Sequence, residues 1–571
     1  MLRLPISIPA FSFRFRFIDL LILFFVLAVL SLIVYVGSGW RYEMQPAIEI
    51  SLDPGRIPLY SANSLIRIFA AYLLSLLFSI WYGYTANRSK THEKIMIPLL
   101  DVLQSIPVLS FLPSVVLAMI AIFPHRRIGL EISSILLIFT GQVWNMAFSY
   151  FNSINTMPRE LTEVSRIFKH KRFTKFLSLD LPSSAIGLVW NSMMSVAGGW
   201  FFLMACEMFI LKDRDFRLPG LGSYIQTAAN KGDMTHVFYG IGTMVFLVVI
   251  LDVLIWRPVV AWSQKFRFDT VQAEEERDSL VLDFVRKSLV ARAFGGVISR
   301  GIRKVELISG RIETAPPRRL LTVLRNAGFV ATALLIVSLL GWSLARAVVL
   351  LSGVSAADCL SVFIAAVYSV FRTTAAIILA SLWTVPLGVY IGLNPRASRV
   401  LQPVVQVVAS IPATAVFPVI LLFLIRLGGG LAVGSIFLML LGTQWYILFN
   451  VIAGASAIPQ DLREVIKLYG TKGWRKWKVL ILPGIFPYLI TGLITATGGA
   501  WNASIVSEYV TFGGETLTTR GLGSLISEST VSGNFGLLLL STVTMAVIVV
   551  GVNRLLWKRM FVLAQEKYRL E

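Results

Sequence analysis

The chain has 571 residues, of which 56% are hydrophobic and 15% charged, and its mean hydropathy is +0.74. Soluble domains carry roughly 25% charged residues, so a soluble globular protein is excluded. The high apolar content and long apolar runs exclude a disordered chain and a coiled coil, and cysteine occurring only as Cys206 and Cys359, both inside apolar runs, excludes a secreted disulfide scaffold. The net charge of +21 points to basic loops on the cytoplasmic side of membrane spans rather than to nucleic acid.

Apolar runs long enough to cross a hydrocarbon layer about 30 Å thick predict an all-α polytopic membrane protein. Twelve spans are expected, at about 18–36, 65–86, 97–123, 131–151, 182–208 and 237–258, then 327–351, 361–392, 400–426, 430–454, 483–509 and 535–556. The stretch after the first run, Gly37 to Arg41, is not a convincing cleavage site, so that run is read as a retained helix. With the N-terminus in the cytoplasm, Arg3, Arg14 and Arg16 lie inside. So do Arg88, Lys90 and Lys94, the stretches 159–175, 257–325 and 463–478, and the tail with Arg554, Lys558 and Arg559. His125, Arg126 and Arg127 are an exception on the outer side. Both termini are then cytoplasmic.

The chain is internally duplicated. Ser64 and Arg67 recur as Ser369 and Arg372, Gly83 as Gly388, Pro98 as Pro403, Ser105-Ile106-Pro107 as Ser410-Ile411-Pro412, and Pro113 as Pro418, every pair at an offset of 305. The offset then becomes 301: Pro158 with Pro459, Glu163 with Glu464, Leu181-Pro182 with Leu482-Pro483, Glu207 with Glu508, and Gly220-Leu221-Gly222-Ser223 with Gly521-Leu522-Gly523-Ser524. Six spans per copy is an even number, so both halves insert the same way round and are related by a pseudo-two-fold axis along the membrane normal. The expected organisation is a segment 1–59 with the first helix, a first repeat 60–260, a cytoplasmic linker 261–326, the first helix of the second half 327–364, a second repeat 365–565 and a tail 566–571.

The loop between the fourth and fifth spans begins Pro158-Arg-Glu-Leu-Thr-Glu163 in one copy and Pro459-Gln-Asp-Leu-Arg-Glu464 in the other. Proline followed by an acidic first turn starts a helix, since the acid meets the positive end of its dipole. Leu462, Val465, Ile466 and Tyr469 supply an apolar stripe, and Gly470 can end the helix in a left-handed conformation. Each copy therefore presents a short amphipathic helix to the cytosol.

These loops resemble the cytoplasmic signature of permease subunits in binding-protein-dependent ABC importers, which runs Glu-Ala-Ala, then glycine, then a downstream Leu-Pro. The second copy keeps Glu464, Gly470, Leu482 and Pro483, with Val465 and Ile466 for the alanines; the first keeps Glu163, Leu181 and Pro182 but has Lys169 for the glycine. The Ser-x-x-Arg, Ser-Ile-Pro and Gly-Leu-Gly-Ser motifs are similar to the nitrate/sulfonate/taurine branch, over roughly 60–260 and 365–565. The resemblance implies two fused MetI-like six-helix repeats carrying a small polar solute, an oxyanion or a sulfonate-like anion, across a prokaryotic inner membrane. It implies two separate ATPase subunits, one under each cytoplasmic helix, and an extracytoplasmic binding protein. Glu163, Lys169, Glu464, Gly470, Leu482 and Pro483 would form the ATPase-coupling surface. The chain contains no Gly-x-x-x-x-Gly-Lys-Ser/Thr loop, so it is not expected to be an enzyme or to hold a cofactor, and ATP and Mg would bind the partner.

Ionisable groups inside spans are costly. Arg67 and Arg372 each begin a span and Glu207 and Glu508 each end one. Arg and Glu either pair there, within or between halves, and hold an outer gate, or they snorkel to headgroups. Ser105, Pro107, Ser410 and Pro412 lie partway into the third spans, where proline makes a structural kink or a pathway-lining bend. Gln142, Trp144, Asn145, Gln444 and Trp445, with Trp200, Trp501 and Asn502, place polar and aromatic groups at membrane depth, for interhelical hydrogen bonds or for an anion held without a fixed charge. Gly198-Gly199 and Gly498-Gly499 permit close helix packing. An ion-coupled secondary transporter is the alternative; it needs buried carboxylates, for which Asp101 and Asp252 are the candidates, and Asp101 aligns with Gln406.

Overall fold

The computed structural model describes residues 49–124, 127–168, 172–211, 214–266, 344–409, 411–426, 430–512 and 515–567, with isolated positions between 296 and 342. The expected first span lies outside the described residues, as does most of the seventh and of the linker.

In the first half α1 is Ile57–Ala86, α2 Lys90–Ser105, α3 Leu112–Ile122, α4 Ile128–Asn155, α5 Arg159–Ile167, α6 Leu181–Glu207, α7 Leu221–Asn230 and α8 Met234–Leu251. The second half repeats them as α9 Ala356–Leu393, α10 Pro395–Ala409, α11 Ala413–Arg426, α12 Gly430–Ser456, α13 Gln460–Leu468, α14 Leu482–Ser507, α15 Leu522–Ser532 and α16 Phe535–Val552. Between α6 and α7 lies a hairpin, β1 Ile210–Leu211 with β2 Arg214–Asp215; between α14 and α15 lies its copy, β3 Tyr509–Phe512 with β4 Glu515–Thr518. The chain is an all-α polytopic membrane protein: eight described helices are long and apolar enough to cross a bilayer, or nine if one bent pair counts as a span.

The duplication extends to the local devices that start and adjust helices. Asp233 caps α8 by accepting from the His236 N–H, and Asn534, 301 residues on, caps α16 by accepting from the Leu537 N–H. Four π-turns sit at the same offset: Phe176–Asp180 with Trp477–Ile481 ahead of α6 and α14, and Asp252–Trp256 with Asn553–Trp557 after α8 and α16. Such bulges insert one residue into a helical turn and are maintained by their surroundings.

The expected continuous third spans are corrected by the structure. Helix α2 stops at Ser105, the chain turns through Ile106 and Pro107 into a 3-10 turn at Val108–Phe111, and α3 follows. In the second half the axis bends by 81° between Pro395–Ala409 and Ala413–Leu421. Proline pushes the residue before it out of the α region, and Ile106 is extended at ψ 124°. What the sequence suggests as a kink is therefore a break.

Within each half the fourth-span helix is central, α4 lying between α1 and α6 and α12 between α9 and α14. The halves join through the broken segments. Helix α11 packs on α6 and the Val108–Phe111 turn on α14, while α10 meets α8 and α2 meets α16. Leu77, Trp81, Phe371 and Leu382 are more than half exposed, an apolar band suited to lipid contact.

Candidate functional site

At one end of each half a buried ionic cluster closes the helices together. Arg67, in the third turn of α1, donates through Nη1 to Glu207 Oε1 at 2.7 Å and through Nη2 to Glu131 Oε1 at 2.8 Å, and its Nε also donates to Glu131. Ser64 Oγ donates to Glu207 Oε1 at 2.7 Å and accepts from the Leu221 N–H at 3.0 Å; the Gly222 N–H donates to Glu207 Oε2 at 2.7 Å. Arg67, Glu131 and Glu207 are each 3% exposed or less.

The second half repeats the plan. Ser369 Oγ donates to Glu508 Oε1 at 2.8 Å, Arg372 Nη1 to the same oxygen at 3.1 Å, and the Gly523 N–H to Oε2 at 2.8 Å. Here Arg372 Nη1 and Nη2 finish on the Arg520 carbonyl and Thr519 Oγ1, both at 2.8 Å.

The four charged residues singled out in the sequence thus pair within each half and not across, buried rather than snorkelling. Sequence reasoning missed Glu131, although an acid in the first turn of a span is itself a signal. It also left the Gly-Leu-Gly-Ser motif unconnected to the glutamates. A Cβ at Gly220 or Gly521 would collide with the carboxylate of Glu207 or Glu508, so the motif is the cradle of that carboxylate.

At the opposite end of the spans stand the short helices α5 and α13. Glu163 and Glu464 are exposed, and Gln460 Nε2 donates to Glu464 at 2.9 Å. Arg463 anchors α13 by donating to the Ala455 and Ser456 carbonyls, both at 3.1 Å. Gly470 stands at φ +61°, in the left-handed region. Leu468, Tyr469 and Trp474 around α13, and Ile167 and Phe168 around α5, are 70–86% exposed. Leu482 and Pro483 are half-buried at the start of α14. Lys169 lies outside the described residues.

Between these ends the broken segments carry polar contacts across the halves. Pro107 and Pro412 begin the turns after the breaks, their carbonyls accepting from the Ser110 and Ala415 N–H groups at 3.2 and 3.0 Å. The Ser105 side chain and Ser410 lie outside the described residues. Asn502 Oδ1 of α14 accepts from the Leu109 N–H of the other half at 3.4 Å, and its Nδ2 donates to the Gly498 carbonyl. Gln406 Nε2 donates to Asp252 Oδ1 at 3.1 Å, again across the halves, while Asp252 Oδ2 accepts from Arg257 at 2.9 Å. Gln444 is buried in α12 and Gln142 in α4. The Asp101 side chain is outside the described residues. Among the described residues no group of His, Cys, Asp and Glu is arranged to hold a metal.

Comparison with known proteins finds one family twice along the chain. The family model for the binding-protein-dependent transport system inner membrane component matches residues 75–257 and again 384–562. The chain is 28% identical over 188 residues to the nitrate import permease protein of Leptolyngbya laminosa, a match covering 33% of this chain and 62% of that protein. It is 28% identical over 162 residues to the taurine transport system permease protein of Escherichia coli, covering 28% and 55%. Against the bicarbonate transport system permease protein of Synechococcus elongatus it is 28% identical over 191 residues, covering 34% and 64%. Each of these matches runs along less than two thirds of the relative's own length.

Proposed function

Because the chain belongs to the family of binding-protein-dependent transport system inner membrane components, and carries that domain twice, we propose that it is the whole permease unit of an ATP-driven importer. The two halves form one translocation pathway for a small polar solute, an oxyanion or a sulfonate-like anion. The chain sits in the inner membrane of a prokaryote with α5 and α13 on the cytoplasmic side, as the positive-inside rule requires. Two ATPase subunits that bind ATP and Mg engage these helices, and a binding protein delivers solute to the other face.

One observation carries this reading: two short helices, each flanked by two spans, extend exposed apolar residues away from the membrane-spanning core at equivalent places in the duplicate. An exposed apolar patch on a polar helix marks a docking surface. On this reading Glu163 and Glu464 orient the docked ATPases, and the Arg67–Glu207 and Arg372–Glu508 clusters at the far end hold the outer gate. The printed names of the relatives, which concern nitrate, taurine and bicarbonate, favour an anion. The secondary-transporter alternative loses its best described carboxylate, since Asp252 is already engaged by Arg257 and Gln406.

The test is uptake of labelled nitrate, bicarbonate and taurine in cells and in proteoliposomes holding the complete assembly. ATP-dependent flux is expected. Replacing Glu163 and Glu464 together with alanine should lower it about tenfold, the equivalent of about 1.4 kcal/mol of coupling. Flux that persists after every ATPase gene is deleted would overturn the reading.

A further inference from the structure

The middle of the first half contains polar groups that the fold leaves unsatisfied. Gln142, halfway along α4, is fully buried, and neither its amide nitrogen nor its amide oxygen has a hydrogen-bond partner among the described residues. Ser195, halfway along α6, is 3% exposed and its hydroxyl is likewise without a partner. The two lie close: the Gln142 amide rests directly on Gly199, where any Cβ would overlap it, and Ser195 is one helical turn from Gly199 on the same face. Gly198, the neighbouring residue, is reached from the other half, since a Cβ there would stand 3.3 Å from the Tyr446 hydroxyl oxygen of α12.

Leaving an amide and a hydroxyl unpaired in a membrane interior is unfavourable, because each group has given up its hydrogen bonds to water and gained none in return. Native folds therefore retain such groups where a ligand or water completes them. The duplicate supplies the internal control. At the offset of 301, Gln142 becomes Thr443, Gly199 becomes Ala500 and Ser195 becomes Ala496. Thr443 satisfies itself on the Met439 and Leu440 carbonyls, both at 3.1 Å, and Ala496 and Ala500 are fully buried. The same backbone, packed without unpaired polar atoms, is thus available in this very chain. The polar set in the first half is a departure from it, and the exchange is matched in volume: a larger residue against glycine, a smaller one against alanine.

We infer that Gln142 and Ser195 of the first half, with Tyr446 reaching in from the second, form a mid-membrane binding station for the transported anion, which has no counterpart around Thr443 and Ala496. The inference rests on the importer reading above and names where the solute is held. The station offers neutral donors: the Gln142 amide, the Ser195 hydroxyl and, across the interface between the halves, the Tyr446 hydroxyl. No cation of the kind that fixes Glu207 is involved. Neutral donors suit an oxyanion in transit, which must be bound well enough to replace part of its hydration and weakly enough to leave.

The second half dictates the test. Gln142→Thr with Gly199→Ala introduces the residue types that the second half carries at Thr443 and Ala500, and Ser195→Ala the one it carries at Ala496. These are compared with wild type in proteoliposomes containing the permease, its ATPases and saturating binding protein, with nitrate, bicarbonate and taurine as probes. The readout is solute carried per ATP hydrolysed, which a merely structural defect would not move because it lowers both together. The ratio is expected to fall about tenfold in the double variant, as expected for the loss of one hydrogen bond to a charged group. It should fall about threefold in Ser195→Ala and in Tyr446→Phe, a loss typical of a single neutral donor. An unchanged ratio in a folded double variant overturns the station. If the double variant does not fold, unchanged ratios in both Ser195→Ala and Tyr446→Phe overturn it. A wild type without ATP-dependent uptake of any probe overturns the importer reading first, and the station with it.

Discussion

The two buried ionic clusters are built on one plan and differ in one carboxylate. Arg67 faces Glu207 and Glu131; Arg372 faces Glu508 alone and completes its donors on Thr519 and a carbonyl. At the offset of 301, Glu131 corresponds to Ala432 and Thr519 to Leu218. The backbone is unaffected by the exchange: the Leu218 N–H donates to the Glu207 carbonyl at 3.1 Å and the Thr519 N–H to the Glu508 carbonyl at 3.0 Å. What the duplicate preserves is the wrapping of one glutamate by a serine, an arginine and a glycine N–H. What it lets vary is the group on the far side of the guanidinium. The requirement is that a buried cation have its donors filled, and either a second carboxylate or a hydroxyl meets it. The consequence is electrostatic: counted as ionised, the first cluster carries one net negative charge and the second carries none.

That difference predicts the largest asymmetry between the halves. Arg67→Gln strands two buried carboxylates, whereas Arg372→Gln strands one. Removing one partner of a buried pair costs about 3–5 kcal/mol, so both variants unfold at lower temperature in detergent, and Arg67→Gln by clearly more. Adding Glu131→Ala to Arg67→Gln should bring its melting temperature back to that of Arg372→Gln. Equal losses from the two single variants would mean that Glu131 adds no burden, and the comparison would fail.

Much of this plan was legible in the sequence, and the limits have physical causes. The offsets of 305 and 301 place Ser64, Arg67, Glu207 and the Gly-Leu-Gly-Ser motif against their copies, because duplicated contacts need duplicated residues. The left-handed Gly470 was readable from its place after an amphipathic stripe. Glu131 offers the weaker signal of an acid in the first turn of a span, and with Ala432 at the offset of 301 no copy reinforces it. Hydropathy continues across Pro107 and Pro412, so the sequence suggests no more than a kink there; only backbone geometry distinguishes a bent helix from an interrupted one. The contact of Gln406 with Asp252 joins two positions 154 residues apart in different halves, and no local pattern announces it.

Where the halves agree, their variants should agree. Gly220→Ala and Gly521→Ala each place a Cβ into the carboxylate that the glycine cradles. Overpacking of this kind costs about 1–3 kcal/mol, and the two melting shifts should match within about 0.5 kcal/mol, because the Gly222 and Gly523 N–H donors sit at nearly equal distance, 2.7 and 2.8 Å. Unequal shifts would show that the far-side groups of the arginines reach into the cradle.

The smallest effect, and the finest test of the comparison, belongs to the serines. Each hydroxyl donates to a glutamate and accepts from a buried N–H, of Leu221 or Leu522, so alanine leaves that N–H unsatisfied and costs about 1–3 kcal/mol. Ser369 lies within reach of both oxygens of Glu508, at 2.8 and 3.1 Å, and the arginine contact there is 3.1 Å. Ser64 touches one oxygen of Glu207 at 2.7 Å, beside an arginine also at 2.7 Å. Glu207 is therefore held more by its arginine and Glu508 more by its serine. Ser369→Ala should destabilise more than Ser64→Ala, the reverse of the order predicted for the arginines, and a calorimetric comparison of the two variants in one detergent decides it. If both pairs rank the same way, the first half is simply the more sensitive half, and the division of labour between serine and arginine is wrong.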